Sequence, residues 1–133
     1  MQLESKKVTV SSNPQEVFTF LTNLKNFEQL MPKEKIEEFT ATPQNCSFKI
    51  KGMTTIGMQL DNTEPFTKIH ILPFQKNPID FDLTIYLDEI GMNQTQVYFI
   101  FKGNVNPMME LMVKNPLTNF FNILADNLTK VKF

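Results

Sequence analysis

His70 and Cys46, the only histidine and the only cysteine of the chain, are the first residues to weigh for chemistry. His70 falls on the polar register of its strand, between Lys68 and Leu72, and a simple hairpin register sets it opposite Asp82 on the outer face. A His–Asp pair can carry a proton or activate a nucleophile. No serine or cysteine is evidently placed beside this one, so it reads as an exposed strand pair. Cys46 reads as an inward strand residue, and a thiol buried in apolar surroundings is a poor nucleophile. Glu37, Glu38, Asp80 and Asp82 are the acids a proton-transfer enzyme would need, yet all occupy positions typical of solvated strand or turn residues. No catalytic residue is assigned, and the balance leans away from an enzyme.

The same scarcity limits other chemistries. One cysteine excludes an internal disulfide and a cysteine-based zinc site, and one histidine cannot build a His-dominated metal centre. No metal and no cofactor are expected. All thirteen basic residues are lysines, so the chain lacks the bidentate fork that arginine offers to phosphates and guanine edges. With a net charge of −1 and no basic block, neither nucleic acid nor an anionic membrane surface is an expected partner. Four scattered glycines form no phosphate-cradling loop, and they sit at or near expected strand ends. The longest apolar stretch, Val97 to Phe101, is strand-sized, which excludes membrane insertion by a helix. Residues 1–7 have no apolar block behind their charges, so the cytoplasm is the expected compartment.

What the chain does hold is apolar bulk: thirteen Phe and eight Met without a single Trp, enough to line an adaptable pocket. The candidates are Phe48, Met58, Phe81, Phe99, Met109, Met112 and Phe120. Core filling is the simpler account of any one of them. For Met108, Met109 and Met112, grouped at the start of a helix, the two accounts are level. Tyr86, Tyr98 and Ile100 lie on the outer register of adjacent strands, where they form either an apolar patch for a partner or a second copy of the chain, or isolated half-exposed residues.

These residues need elements to hold them. At 133 residues the chain is the size of one domain, 1–133, long enough to bury roughly two thirds of its unfolded surface. Residues 2–11 read as a first strand. Asn13-Pro14-Gln15-Glu16 then opens a helix: Asn13 caps it, Pro14 suits the first turn, and Glu16 completes a capping box. A second short helix is expected from Asn26 to Met31, stopping before Pro32. From about 34 to 105 the period is two, with apolar rows at Cys46/Phe48/Ile50, Ile56/Met58/Leu60, Phe81/Leu83/Ile85/Leu87 and Val97/Phe99/Phe101. Turns are expected at Asp61–Pro65, Asn77-Pro78 and Gly91–Asn93. From Asn106 and Pro107 the period returns to 3.6 and runs nearly to Phe133, with a stripe of Leu117, Phe120, Phe121, Leu124, Leu128 and Val131. Pro116 predicts a kink near 112–116. The stripe and the sheet's apolar face must cover each other, which gives an α+β domain.

The element order, with Asn13-Pro14-Gln15-Glu16-Val17-Phe18 and Asn26-Phe27-Glu28-Gln29-Leu30-Met31-Pro32, resembles the helix-grip domains of the SRPBCC superfamily. That group includes START domains, pollen-allergen-like proteins, aromatic polyketide cyclases and small bacterial proteins. The resemblance implies a curved antiparallel sheet of about seven strands, two short helices after the first strand, and a long C-terminal helix across the concave face. It also implies a cavity between sheet and helix that holds a small apolar or aromatic molecule, opening near the start of that helix. Lys51-Gly52-Met53-Thr54-Thr55-Ile56-Gly57 departs from the glycine-rich loop of the plant members. The rivals to simple binding are a cyclase- or isomerase-type enzyme and a protein-interaction module with a filled core.

Overall fold

In a computed structural model, which describes residues 1–75, 77 and 79–133, the period-two runs pair into one antiparallel sheet of eight strands. They are β1 (Gln2–Glu4), β2 (Val8–Val10), β3 (Ile36–Ala41), β4 (Asn45–Ile50), β5 (Thr55–Glu64), β6 (Lys68–Pro73), β7 (Asp80–Gly91) and β8 (Gln94–Asn104). The order across the sheet is β1-β8-β7-β6-β5-β4-β3, and β2 extends the β1 edge along β8. The chain thus meanders from β3 to β8, and its N-terminal strands close the far side. Alternation does what a half-buried sheet requires: Cys46, Phe48, Met58, Ile69, Ile71, Leu83, Ile85, Val97 and Phe99 are all buried on one face.

Three local expectations are corrected. The run 2–11 is two strands, because Ser5 turns inward between them; its Oγ accepts the Phe99 N–H and its own N–H donates to the Phe99 carbonyl, both at 2.9 Å. The turn expected at Asp61–Pro65 comes later. β5 continues through Glu64 because a bulge absorbs Asp61 and Asn62, and the chain reverses at Pro65-Phe66, with Phe66 at φ 68°. Gly57 is not near a strand end but inside β5. A Cβ there would collide with the Phe74 carbonyl, so the absent side chain lets the β6–β7 connection cross it. In the turn at Asn77-Pro78, Pro78 lies outside the described residues. The tight turn after Gly91 is present, with Asn93 at φ 54°.

Helix α1 (Pro14–Leu21) begins as the capping pattern requires: Asn13 Oδ1 accepts the Glu16 N–H at 2.9 Å. The second helix starts earlier than expected and is a 3₁₀ helix, Leu24–Gln29, capped by Asn23. Asn26 does not start it; its Nδ2 donates to the Phe20 carbonyl at 2.9 Å and tightens the corner after α1. Helix α2 (Pro107–Leu128) is capped by Asn106, whose Oδ1 accepts the Met109 N–H at 2.8 Å, and it continues through Pro116. It ends at Leu128 rather than near Phe133, so Val131 belongs to the tail and not to the helical stripe.

The core is the sheet's inner face against the second half of α2. Phe120 stacks on Phe48 at 5.5 Å, and Phe121 meets Phe99 at 6.0 Å and Phe101 at 5.3 Å. Burying each such ring contributes about 1.5–3 kcal/mol. Val17, Leu21, Leu24, Phe27 and Leu30, all fully buried, close one end. Asn127 fastens α2 to that end by donating to the Leu30 carbonyl at 2.7 Å. Among the described residues no helix is long and apolar enough to cross a membrane.

Candidate functional site

Helix α2 changes character at Leu117. Beyond it lies the buried stripe; before it, from Pro107 to Pro116, no residue is buried. Met108, Leu111 and Met112 are 75%, 85% and 71% exposed, which is unusual for large apolar side chains grouped on two turns. Along one flank of this segment runs a groove of about 360 Å³, lined by Met108, Met109, Met112 and Val113 from α2 and by Met53 and Ile79 opposite. A second hollow of about 380 Å³ opens on another flank, between Pro116 and Lys51, with Phe120 in its lining. The first half of α2 therefore touches the body through Met109 and Val113, with a hollow along its flank and another near its end at Asn115 and Pro116.

The walls facing the helix are held by backbone devices. Gly52 adopts φ +81°, a left-handed conformation that turns the chain after β4, and the Met53 N–H closes that turn on the Ile50 carbonyl at 2.9 Å. The Lys51 N–H anchors the same loop to the Lys35 carbonyl at 2.9 Å. On the other side, the β6–β7 connection is stapled across β5. The Gly57 N–H donates to Asn77 Oδ1 at 2.8 Å, the Phe74 N–H donates to the Gly57 carbonyl at 3.0 Å, and Asn77 Nδ2 donates to the Phe74 carbonyl at 2.7 Å. Ile79 follows this staple and forms the groove's far wall.

The expected lining residues separate into two groups. Met109 and Met112 meet at the groove together with Met108. Phe48, Met58, Phe81, Phe99 and Phe120 lie buried in the body, Phe120 also edging the second hollow: Phe48 on Phe120, Phe81 on Phe101 at 5.3 Å, Phe99 beside Phe121. Sequence reasoning missed Met53, Ile79 and Val113. For Met53 the adjacent Gly52 was the available signal, since a glycine at positive φ makes a projecting turn; Ile79 carries none, because its position depends on the staple at Gly57.

The polar candidates lie elsewhere. Burial pushes the Cys46 thiol up to about 12, so it is neither a nucleophile nor a thiolate ligand at neutral pH. His70 pairs across the ladder with Thr84, not with Asp82 as the simple register had it, because the strands are offset by one pleat. Its Nε2 still reaches Asp82 Oδ1 diagonally at 2.5 Å, and its Nδ1 meets Asp61 Oδ2 at 2.9 Å, a partner not foreseen. Tyr86 and Tyr98 stack at 5.0 Å on the outer face, with Lys68 over the first ring and Lys7 over the second. Among the described residues no three His, Cys, Asp or Glu side chains are grouped to hold a metal ion.

No family model matches the chain, and no curated protein does. Solved structures do match. The protein XoxI from Bacillus cereus superposes with a TM-score of 0.74 at 11% identity, covering 97% of this chain and 93% of that one. A START superfamily protein from Mycobacterium smegmatis gives 0.68 at 10% identity, with 98% and 99% covered. The di-domain ARO/CYC BexL of the BE-7585A biosynthetic pathway gives 0.66 at 10% identity, covering 96% of this chain and 46% of the larger one. At such identities the likeness concerns architecture alone, and the architecture is the helix-grip fold.

Proposed function

We propose that the chain binds a small apolar or aromatic molecule, without chemistry, in the groove under the first half of α2. The observation that carries this reading is the contrast within one helix: the half after Pro116 is packed, while the half before it holds exposed methionines over an apolar hollow. About 360 Å³ falls within the ~300–1,000 Å³ range of small-molecule sites. Methionine walls adapt their shape to a ligand at low cost. The structural likeness to a START protein and a cyclase supports the reading by analogy only. Catalysis has less support, because the groove's polar side chains are Thr54 and Asn106, and Asn106 Oδ1 is committed to capping. A homodimer through the outer sheet face also has less support, since lysines already cover the Tyr86 and Tyr98 rings.

Thermal-shift screening with fatty acids, sterols and planar aromatics tests the proposal. A ligand at ~100 times its dissociation constant adds about 2.7 kcal/mol to stability, which raises the melting temperature by roughly 5–10 °C. Met109→Asp, which places a charge in the groove, should abolish the shift while the protein remains folded. If no compound shifts the native chain, the binding reading fails. The exposed Met108, Leu111 and Met112 then favour the interaction module.

A further inference from the structure

The ring of His70 lies between two carboxylates, Asp61 at Nδ1 (2.9 Å) and Asp82 at Nε2 (2.5 Å), on three neighbouring strands. Only the imidazolium can donate to both. A neutral ring keeps one N–H and turns a lone pair toward the other carboxylate, an acceptor facing an acceptor. The place in the ladder matters as much. Leu60 pairs with Ile71 and Thr63 with Ile69, so Asp61 and Asn62 together oppose His70. The ring is therefore the side chain that spans the β5 bulge and ties it to β7. We propose that His70 is a pH-sensitive clasp: protonated, it locks the bulge of β5 to β6 and β7, and on losing a proton it releases one of the two strands.

The surrounding charges are consistent with this. Asp61 and Glu64 on β5, Lys68 on β6, Asp80, Asp82 and Tyr86 on β7, and Lys102 opposite Asp82 on β8 share the outer face. The lysine on the ring's own strand is engaged by Glu64 at 3.9 Å and by the Tyr86 face. Partial burial on its own lowers the proton affinity of His70, but the hydrogen bonds and charges of Asp82 and Asp61 outweigh it and raise the ring above its ordinary value of 6.5. A raised folded-state value means that the clasp's contribution is complete below about 6.5 and is lost as pH climbs through the folded value. Asp61 is held below the usual carboxylate value, first by the Asn62 backbone N–H and then by His70. Its contribution is present above that usual value and disappears on strong acidification.

Because His70 is the only histidine, one set of ring signals in an NMR titration reports it alone. The expected midpoint in the folded protein lies above 6.5, moving back toward 6.5 in Asp82→Asn and in Asp61→Asn. Urea midpoints measured from pH 5.5 to 8.5 should fall with rising pH in the native chain and lose that fall in His70→Gln. Exchange of the Asn62 and Thr63 amides, corrected for intrinsic rate, should quicken over the same interval only in the native chain. A folded-state midpoint at or below 6.5 overturns the clasp, as does a His70→Gln protein that keeps the native pH slope. All three substituted side chains reach solvent, so the variants fold and each arm gives an answer.

Discussion

Ser5 is one of three buried polar residues among those described, and its hydroxyl holds the gap between β1 and β2 by accepting the Phe99 N–H and donating to the Lys6 carbonyl at 3.0 Å. Ser5→Ala strands that N–H in the core, at a cost of about 1–3 kcal/mol. Urea unfolding measures this directly, and a loss within a few tenths would mean that water replaces the hydroxyl. No local pattern reveals such a residue, because its partner lies 94 positions away. Asn13 is the opposite case. Its oxygen bonds the Glu16 amide three residues on and its Nδ2 meets Glu16 Oε1 at 3.1 Å, so Asn-Pro-Gln-Glu was readable as a helix start. The same distinction explains His70. That it faces outward follows from alternation, but its second carboxylate depends on a bulge, and a bulge leaves no periodic trace.

At the scale of elements, periodicity carries the buried face and fails at the ends. The apolar rows of β4, β7 and β8 and the stripe from Leu117 to Leu128 are buried as their spacing requires. Asp61-Asn62-Thr63-Glu64-Pro65 has turn composition, yet four of its five residues stay in β5 because pairing with β6 outweighs local preference. Lys130 and Lys132 flank Val131 in a tail whose helical spacing is fortuitous; the helix has already ended, with Thr129 Oγ1 bonding the Asp126 carbonyl at 2.6 Å. Phe99 tests what lies between sheet and helix. A ring facing a void would cost less than usual to remove, but this one is buried beside Phe121, so Phe99→Ala should cost the full ~3–5 kcal/mol of a packed phenylalanine. A loss below about 2 kcal/mol in equilibrium unfolding would instead indicate open space beneath the second half of α2.

Over the whole molecule, the sheet is completed by its most distant pairing, β1 on β8, with Leu3 opposite Phe101, and the second half of α2 packs against its inner face. The first half shares little of this stabilisation: Met109 and Val113 are half-buried against the core, while Met108, Leu111 and Met112 are exposed. Pro116 separates the two halves. It has no N–H to give the Met112 carbonyl, so the helical ladder lacks a rung where burial begins. A segment with few buried contacts opens at low free energy while its neighbour opens only with the global fold. Native-state hydrogen exchange should therefore divide α2 in two, with the amides of Leu111 to Asn115 protected roughly 100-fold less, or lower still, than those of Phe120 to Leu128, a gap of ~2.7 kcal/mol. An apolar ligand seated against Met109 and Met112 should slow exchange in the first segment and leave the second unchanged. Equal protection along the whole helix in the free protein would mean that the first half is a fixed wall, and the groove would then have to admit its ligand from the open side without movement of α2.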